Sequence, residues 1–330
     1  MRETTAEPDE VAGPHAVATA DAAGLRRAGT VPRVAEHGGR TTGRALQALL
    51  LLLPSLVFLI PFTIWPALRV VYLSLFQVDL SHPLPTFIGL GNFVAEFTNP
   101  IFLQVLRNTA LYTLGTVPLS VVLALLLAIE VNKRLRLSGV FRAALFYPTI
   151  LPTVGAAAVW LFVYVPSFGL LDRLLSVFGV GSHNWLGDPG LVLPALMLIM
   201  VWKQTGYFMV FYLAGLQSLP PSVFEAAELD GASGWRALVS LTVPLLSGTT
   251  VFVSTIALVD AFQTVDQLFI LTQGGPNNSS SLLLYWLYVE GFHNFNVGRA
   301  SAVTVVMMVI VLGVSLFNYR FQDQAAHYEA

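Results

Sequence analysis

Charged and amide side chains are scarce in this sequence, so the few that interrupt its long apolar runs are where chemistry would have to be done. Lys203 and Gln204 interrupt the run 191–219, and Asp260, Gln263, Thr264, Asp266 and Gln267 interrupt the run 237–271. Polar groups inside a lipid-facing run are costly and by default mark a functional interior. Asp260, Gln263, Thr264 and Gln267 fall at i, i+3, i+4 and i+7, which is one face of a helix. A stripe of carboxylate, amide and hydroxyl groups can exchange hydrogen bonds with a hydroxylated solute. The competing reading is a hydrogen-bonded seam between helices. Asp266 lies off the stripe, near the end of its run, where hydration alone would account for it. Lys203, Gln204, Asp260, Gln263, Thr264 and Gln267 are therefore the candidate lining of a solute pathway, with Trp202, Tyr207 and Phe262 as aromatic neighbours.

Other chemistries find no support. The chain has no cysteine, which removes disulfides, iron–sulfur clusters, thiolate zinc sites and cysteine nucleophiles together. There is no G-x-x-x-x-G-K-[ST] loop to cradle ATP phosphates and no H-E-x-x-H metal spacing. G-x-S-x-G is absent too. Four of the six histidines, His15, His37, His183 and His327, fall in tails or polar loops and read as solvated residues. A net charge of -2 argues against nucleic acid as a partner.

The elements that would position the polar residues are membrane spans. Of 330 residues 55% are hydrophobic and 11% charged, against about 25% charged in a soluble domain. A bilayer core needs about 20 apolar helical residues. Six stretches supply them: Ala45–Leu68, Thr109–Ile129, Ala143–Leu171, Leu191–Leu219, Ala237–Leu271 and Ala300–Tyr319. Prolines inside several of these are tolerated where neighbouring helices satisfy the freed carbonyls. Lys and Arg counts set the orientation. With the N-terminus inside, the inner flanks hold Arg33, Arg40, Arg44, Lys133, Arg134, Arg136, Arg142, Arg236 and Arg320, against Arg107, Arg173 and Arg299 outside. Both termini are thus expected in the cytoplasm. Residues 1–44 read as a disordered cytoplasmic tail too polar for a cleaved leader, and 321–330 as a short C-terminal tail. The outer loops, near 77–106, 172–190 and 272–299, carry turn chemistry in Gly89-Leu90-Gly91-Asn92 and Gly274-Gly275-Pro276-Asn277. Trp185, Trp286, Tyr285 and Tyr288 suit an interfacial aromatic belt.

The inner connection between the fourth and fifth spans is unusual. Ser222 followed by Glu225 has capping-box spacing, Gly231 can take the left-handed conformation that ends a helix, and Ser233 can cap the next one. Two short helices joined by a tight turn are expected. Ala226 and Ala227 are small enough for another backbone to approach, and Val223 extends their stripe.

Glu225-Ala226-Ala227-x-x-Asp230-Gly231-Ala232, with Pro244 closing the stretch, resembles the EAA signature of membrane subunits of bacterial ABC importers. Leu238 and Leu241 stand at the family's later aromatic and isoleucine positions, a mild departure. Phe87-Ile88-Gly89-Leu90-Gly91-Asn92-Phe93 and Leu271-Thr272-Gln273-Gly274-Gly275-Pro276 resemble outer segments of the carbohydrate-type subfamily. Val201-Trp202-Lys203-Gln204 and Leu216-Gln217-Ser218-Leu219-Pro220 look most like the glycerol-3-phosphate and sugar permeases.

The resemblance covers roughly 45–320 and implies an all-α type I permease. Within it lie a first helix and outer segment (45–106) and a permease core (107–320) that holds the EAA loop (217–244). It implies that Glu225, Ala226, Ala227, Asp230, Gly231 and Ala232 couple the chain to an ATPase. It further implies a second, non-identical permease, two ATP-binding subunits that hold ATP and Mg, and an extracytoplasmic substrate-binding protein. This chain would need no cofactor of its own. Transport by alternating access in a bacterial inner membrane would follow, with a sugar or oligosaccharide as solute and glycerol-3-phosphate or a glycerophosphodiester as the second choice. An ion-coupled secondary transporter and a membrane-embedded enzyme are the readings from other classes. Neither gives the capped loop a task.

Overall fold

The computed structural model describes residues 41–133, 138–232 and 234–326, with side chains over 50–133, 138–232 and 234–320. The chain divides between Leu59 and Ile60. In the first part lies α1 (Thr41–Leu59), whose leucines from Leu50 to Leu53 are exposed as lipid-facing residues would be. The helix begins at Thr41, ahead of the 1–44 boundary expected for the tail; residues 1–40 lie outside the described residues, as do Arg134, Arg136, Ser233 and His327.

The second part opens on a π-helical turn and α2 (Trp65–Leu73). A two-residue hairpin, β1 (Phe76–Gln77) and β2 (Thr86–Phe87), pairs Phe76 with Phe87 and leads to α3 (Gly91–Phe97). Then come α4 (Pro100–Asn132), α5 (Ser138–Ile150), α6 (Thr153–Val163), α7 (Leu170–Ser176) and α8 (Val192–Ser218). The remainder is α9 (Pro221–Leu229), α10 (Gly234–Ala237), α11 (Val243–Leu245), α12 (Ser247–Phe262), α13 (Asp266–Leu271), α14 (Leu283–Tyr288) and α15 (Val297–Ala326).

Leu50–Leu73, Pro100–Asn132, Val192–Ser218, Ser247–Leu271 and Val297–Arg320 are each long and apolar enough to cross a membrane, and α5 with α6 makes a sixth candidate bent by 100°. Several expected bounds move. The second span is a longer helix, started by Pro100 at its first position and by the Asn99 side chain, which accepts from the Ile101 N–H at 3.0 Å. The third is not the continuous run Ala143–Leu171. It breaks at Leu151–Pro152 because Pro152 offers no N–H and disfavours helical backbone in the residue before it, and it ends at Val163. The fifth breaks at Leu246 and again at Gln263–Val265.

The core forms around α4 and α8, which pack along each other. Tyr112, Thr116, Ser120, Ala124 and Ala128 recur every four residues on one buried face of α4. The small side chains toward its C-terminal end admit Phe208, Met209 and Tyr212 of α8 and Val253 and Ala257 of α12. At Gly206 the approach is closer still. A Cβ there would lie 1.9 Å from the Leu145 carbonyl oxygen, so only glycine lets α5 pack on α8 at this point. Toward the N-terminal end of α4, Phe102, Val105, Leu258, Phe262, Trp286 and Val303 join α4, α12, α14 and α15.

Candidate functional site

The polar residues singled out in the sequence converge. Lys203, Gln204, Asp260, Gln263, Thr264 and Gln267 line one cleft of about 180 Å³, together with Thr153, Met200, Val265 and Asp266. The assumed geometry needs correction, because no continuous helical stripe exists. α12 ends at Phe262, Gln263 is its C-terminal cap, and α13 starts afresh at Asp266. That break turns Asp266 into the cleft, where a continuous helix would have pointed it away. The aromatic neighbours are elsewhere. Phe262 packs in the α4–α14–α15 core, Tyr207 stacks edge-on against Phe211, and Trp202 lies edge-on to Trp160.

Hydrogen bonds divide the lining into committed and free groups. Lys203 Nζ donates to the Leu151 carbonyl at 2.9 Å and the Thr149 carbonyl at 3.3 Å. Gln204 Nε2 donates to Asp260 Oδ2 at 3.0 Å, and Gln267 Nε2 to the buried Tyr112 hydroxyl at 2.9 Å. Thr264 Oγ1 donates to the Asp260 carbonyl at 3.0 Å, satisfying an acceptor freed where α12 ends. Gln263 and Asp266 are exposed, and the described residues offer their side chains no hydrogen bond. Among the described residues no cluster of three or more His, Asp or Glu side chains could hold a metal ion.

The segments between the spans are pinned by buried polar groups that the sequence reading passed over. Asp172 accepts from the Ser167 N–H, the Ser182 hydroxyl and the Trp185 indole, each at 2.7 Å. Those donors, the Ser182 hydroxyl foremost, pull its carboxyl from an ordinary 3.8 down to about 2. Glu96, almost wholly buried, pairs with Arg299 at 2.7 Å and accepts from the Trp286 indole at 3.0 Å. Burial pushes its carboxyl above the usual range, against the opposing pull of Trp286 and Arg299. Trp286 is thus a core donor and not part of an interfacial belt. Asn108 Nδ2 donates to the Asn278 carbonyl at 2.8 Å, tying the glycine–proline loop to α4. Asn92 does the same for the hairpin, donating to the Ser74 and Phe76 carbonyls at 2.9 Å. The signal available was chemical: Asn92 at the start of α3 and Asn108 inside α4 are amides, the type that ties backbone to backbone.

The loop between the fourth and fifth spans forms α9 and α10 as two short helices. Its start differs from the capping box expected at Ser222 and Glu225. Pro220 is the N-cap and Pro221 the first helical residue, so Ser222 is already inside the helix and makes no cap bond. Paired prolines preset the backbone and displace the cap by two positions. The end matches the expectation. Gly231 has φ +77°, its N–H reaches the Glu228 carbonyl at 3.1 Å, and the Ala232 N–H reaches the Ala227 carbonyl at 2.8 Å, a Schellman turn. Glu225, Ala226 and Asp230 are exposed, while Ala227 and Ala232 are partly covered. Leu229 is 89% and Trp235 75% exposed, large apolar side chains flanking the turn that the sequence reading did not single out.

Known proteins fit this arrangement. The family model described as binding-protein-dependent transport system inner membrane component matches residues 39–325. The sn-glycerol-3-phosphate transport system permease protein UgpA of Agrobacterium fabrum is 34% identical over 284 residues, which cover 84% of this chain and 95% of that protein. The probable ABC transporter permease protein YurN of Bacillus subtilis is 34% identical over 276 residues, covering 82% and 94%. A chain in the crystal structure of a bacterial alginate ABC transporter, in complex with an alginate pentasaccharide-bound periplasmic protein, superposes with TM-score 0.74 at 20% identity. It covers 86% of this chain and 96% of that one, and so shares the fold. The chain belongs to the family of binding-protein-dependent transport system inner membrane components.

Proposed function

We propose that this chain is the permease subunit of an ATP-driven importer and that its cleft is half of the path taken by a polyhydroxylated solute, a sugar or oligosaccharide. The observation that carries the reading is the convergence of Lys203, Gln204, Asp260, Gln263, Thr264 and Gln267, with Asp266, on one cleft, where two spans are broken. Gln263 and Asp266 supply an uncommitted amide and carboxylate for solute hydroxyls. Asp260, Gln204, Thr264 and Gln267 form a second tier already bonded to one another or to the frame. Lys203, the one cation in the lining, is engaged with backbone carbonyls. Two carboxylates without a guanidinium fork suit a neutral polyol better than a phosphate.

The exposed Schellman-capped helix is the docking element for an ATPase, with Glu225, Ala226, Ala227, Asp230, Gly231 and Ala232 at its contact and Leu229 and Trp235 beside it. ATP and Mg would sit in two such partner subunits. A second permease would complete the path, and a binding protein outside would deliver the solute. The chain spans an inner membrane with both termini cytoplasmic; placing Arg69 outside with Arg107, Arg173 and Arg299 still leaves nine basic residues against four. ATP binding would favour the outward-open state over the inward-open one, the differential that any ligand-driven switch requires.

The second reading, glycerol-3-phosphate as solute, is favoured by the relative from Agrobacterium fabrum. ATPase stimulation of the complete complex with its binding protein, measured across a panel of sugars and glycerol phosphates, separates the two. Stimulation by sugars is expected. Stimulation by the phosphates alone would overturn the sugar reading.

A further inference from the structure

We infer that Lys203 is a positioning residue: its ammonium holds the break in the third span, and so sets one wall of the cleft, without binding the solute. The inference rests on reading the cleft as the solute path and adds which lining residue shapes it and how.

The break creates the need. Between α5 and α6 the chain turns through 100° at Leu151–Pro152, and the last carbonyls of α5 lose their helical donors. Lipid offers no replacement. Lys203 Nζ supplies two, to the Leu151 oxygen at 2.9 Å and the Thr149 oxygen at 3.3 Å. A cation suits that position, where the carbonyl end of α5 is electronegative. The bond is returned by the Thr149 hydroxyl, which donates to the Lys203 carbonyl at 2.8 Å. Three residues further along α8, Gly206 lies against the Leu145 carbonyl too closely for a side chain, so the last turns of α5 are seated on α8 beside the latch as well.

The latch controls the wall directly. Thr153, the first residue of α6, lines the cleft beside Lys203. α6 packs on α13, which carries Asp266 and Gln267. Loosening the Leu151–Pro152 turn would move α6 and, through it, the Asp266 carboxylate that faces the solute. Two of the three ammonium donors are taken by these carbonyls, and a solute contact through either would have to release one of them.

The test uses the complete importer in proteoliposomes, with Lys203→Met, Lys203→Arg and Thr149→Val, read by uptake kinetics and by amide hydrogen exchange over residues 145–160. Lys203→Met should lower the maximal rate by about tenfold, the loss expected of a charge-assisted hydrogen bond, with KM changed by less than about twofold. It should also speed exchange at the break. Lys203→Arg, which keeps the cation, should restore both. Thr149→Val should shift both in the same direction by a smaller factor, and it decides the matter if Lys203→Met does not assemble. A raised KM at unchanged maximal rate in Lys203→Met, or unaltered exchange in Thr149→Val, would overturn the inference. The exchange readout needs no solute, so a mistaken solute class would leave it intact while abolishing the uptake signal in the parent importer as well.

Discussion

Replacing Gly206 by alanine adds one methyl group where, among the described glycines, a Cβ would meet the closest neighbour. The new Cβ would sit 1.9 Å from the Leu145 oxygen, 2.7 Å from its carbon and 3.1 Å from Phe146 Cα. All three are backbone atoms, so no side chain can rotate away. Carbon–oxygen contacts settle near 3.4 Å, the lower end of ordinary contact distances, so α5 must retreat by about 1.5 Å at this turn. A displacement of that size would carry the Lys203–Leu151 and Thr149–Lys203 bonds, now 2.9 and 2.8 Å, past the limit of hydrogen-bonding distance. Overpacking of this kind costs about 1–3 kcal/mol. Gly206→Ala is therefore expected to lower the thermal midpoint of the purified protein and to abolish uptake by the assembled importer. Gly155→Ala on α6 is the control, since a Cβ there meets nothing within 4 Å. Fluorescence-detected size exclusion after heating gives the stability and proteoliposome uptake the activity. If Gly206→Ala matches Gly155→Ala in both, the close α5–α8 approach does not position the cleft.

Gly231→Val should leave the importer assembled but uncoupled. The left-handed φ of +77° costs a residue with a Cβ about 1–2 kcal/mol, which tilts α10 against α9 rather than unfolding the spans; normal solute-stimulated ATPase activity and uptake would remove the loop from the coupling path. Arg299→Met should destabilise the outer frame by about 3 kcal/mol, because Glu96 is left as a buried, uncompensated carboxylate. Glu290, also buried and 3.8 Å from the same guanidinium, shares the loss, so replacing both Glu96 and Glu290 by Gln should recover part of the lost melting midpoint, and no recovery would mean the arginine acts through packing. For Asp172 the sign follows from a depressed carboxyl: its contribution is present above the ordinary 3.8 and is lost only as pH falls through about 2. In a His183→Gln background, which removes the imidazole packed 5.5 Å from Trp185, Trp185 fluorescence should therefore stay constant from neutrality down to about pH 4. Asp172→Asn, which turns one acceptor into a donor facing donors, should shift it at neutral pH; a transition near pH 6 in that background would contradict the assignment.

What the sequence disclosed and what it withheld follow from one physical distinction. Spans that run unbroken, such as Val192–Ser218 and Val297–Arg320, were legible because lipid demands a continuous apolar run and composition reports it. Breaks were not. Proline at the third-span break was visible, but Pro54, Pro118 and Pro148 lie inside helices that continue. What distinguishes Leu151–Pro152 is a donor from another helix, Lys203, placed to accept the consequences. The same limit explains Asp266. Spacing arithmetic presumes a continuous helix, and the Gln263–Val265 break voids it. The Gly231 turn was readable because its conformation depends on one residue, whereas the start of α9 was misplaced because Pro220-Pro221 overrode a good capping-box spacing.

These breaks locate the compliance of the molecule. The connecting segments around Asp172, Asn92, Asn108 and Glu96 are held by buried bonds, which resist independent motion. α4 and α8 are closely packed continuous helices. A path that opens alternately to two sides needs joints, and the two that face the cleft are Leu151–Pro152 and Gln263–Val265, joined by the packing of α6 on α13. Each has a backbone carbonyl satisfied by a lining side chain, Lys203 at the first and Thr264 at the second. Shape and chemistry in the cleft are therefore assigned to different residues. Lys203 and Thr264 keep the joints, so losing either should appear in the rate of transport. Gln263 and Asp266 are exposed and uncommitted, so losing either should appear in KM for the solute. Side-by-side kinetics of Thr264→Val and Gln263→Ala would expose the error in this division if both variants moved the same constant.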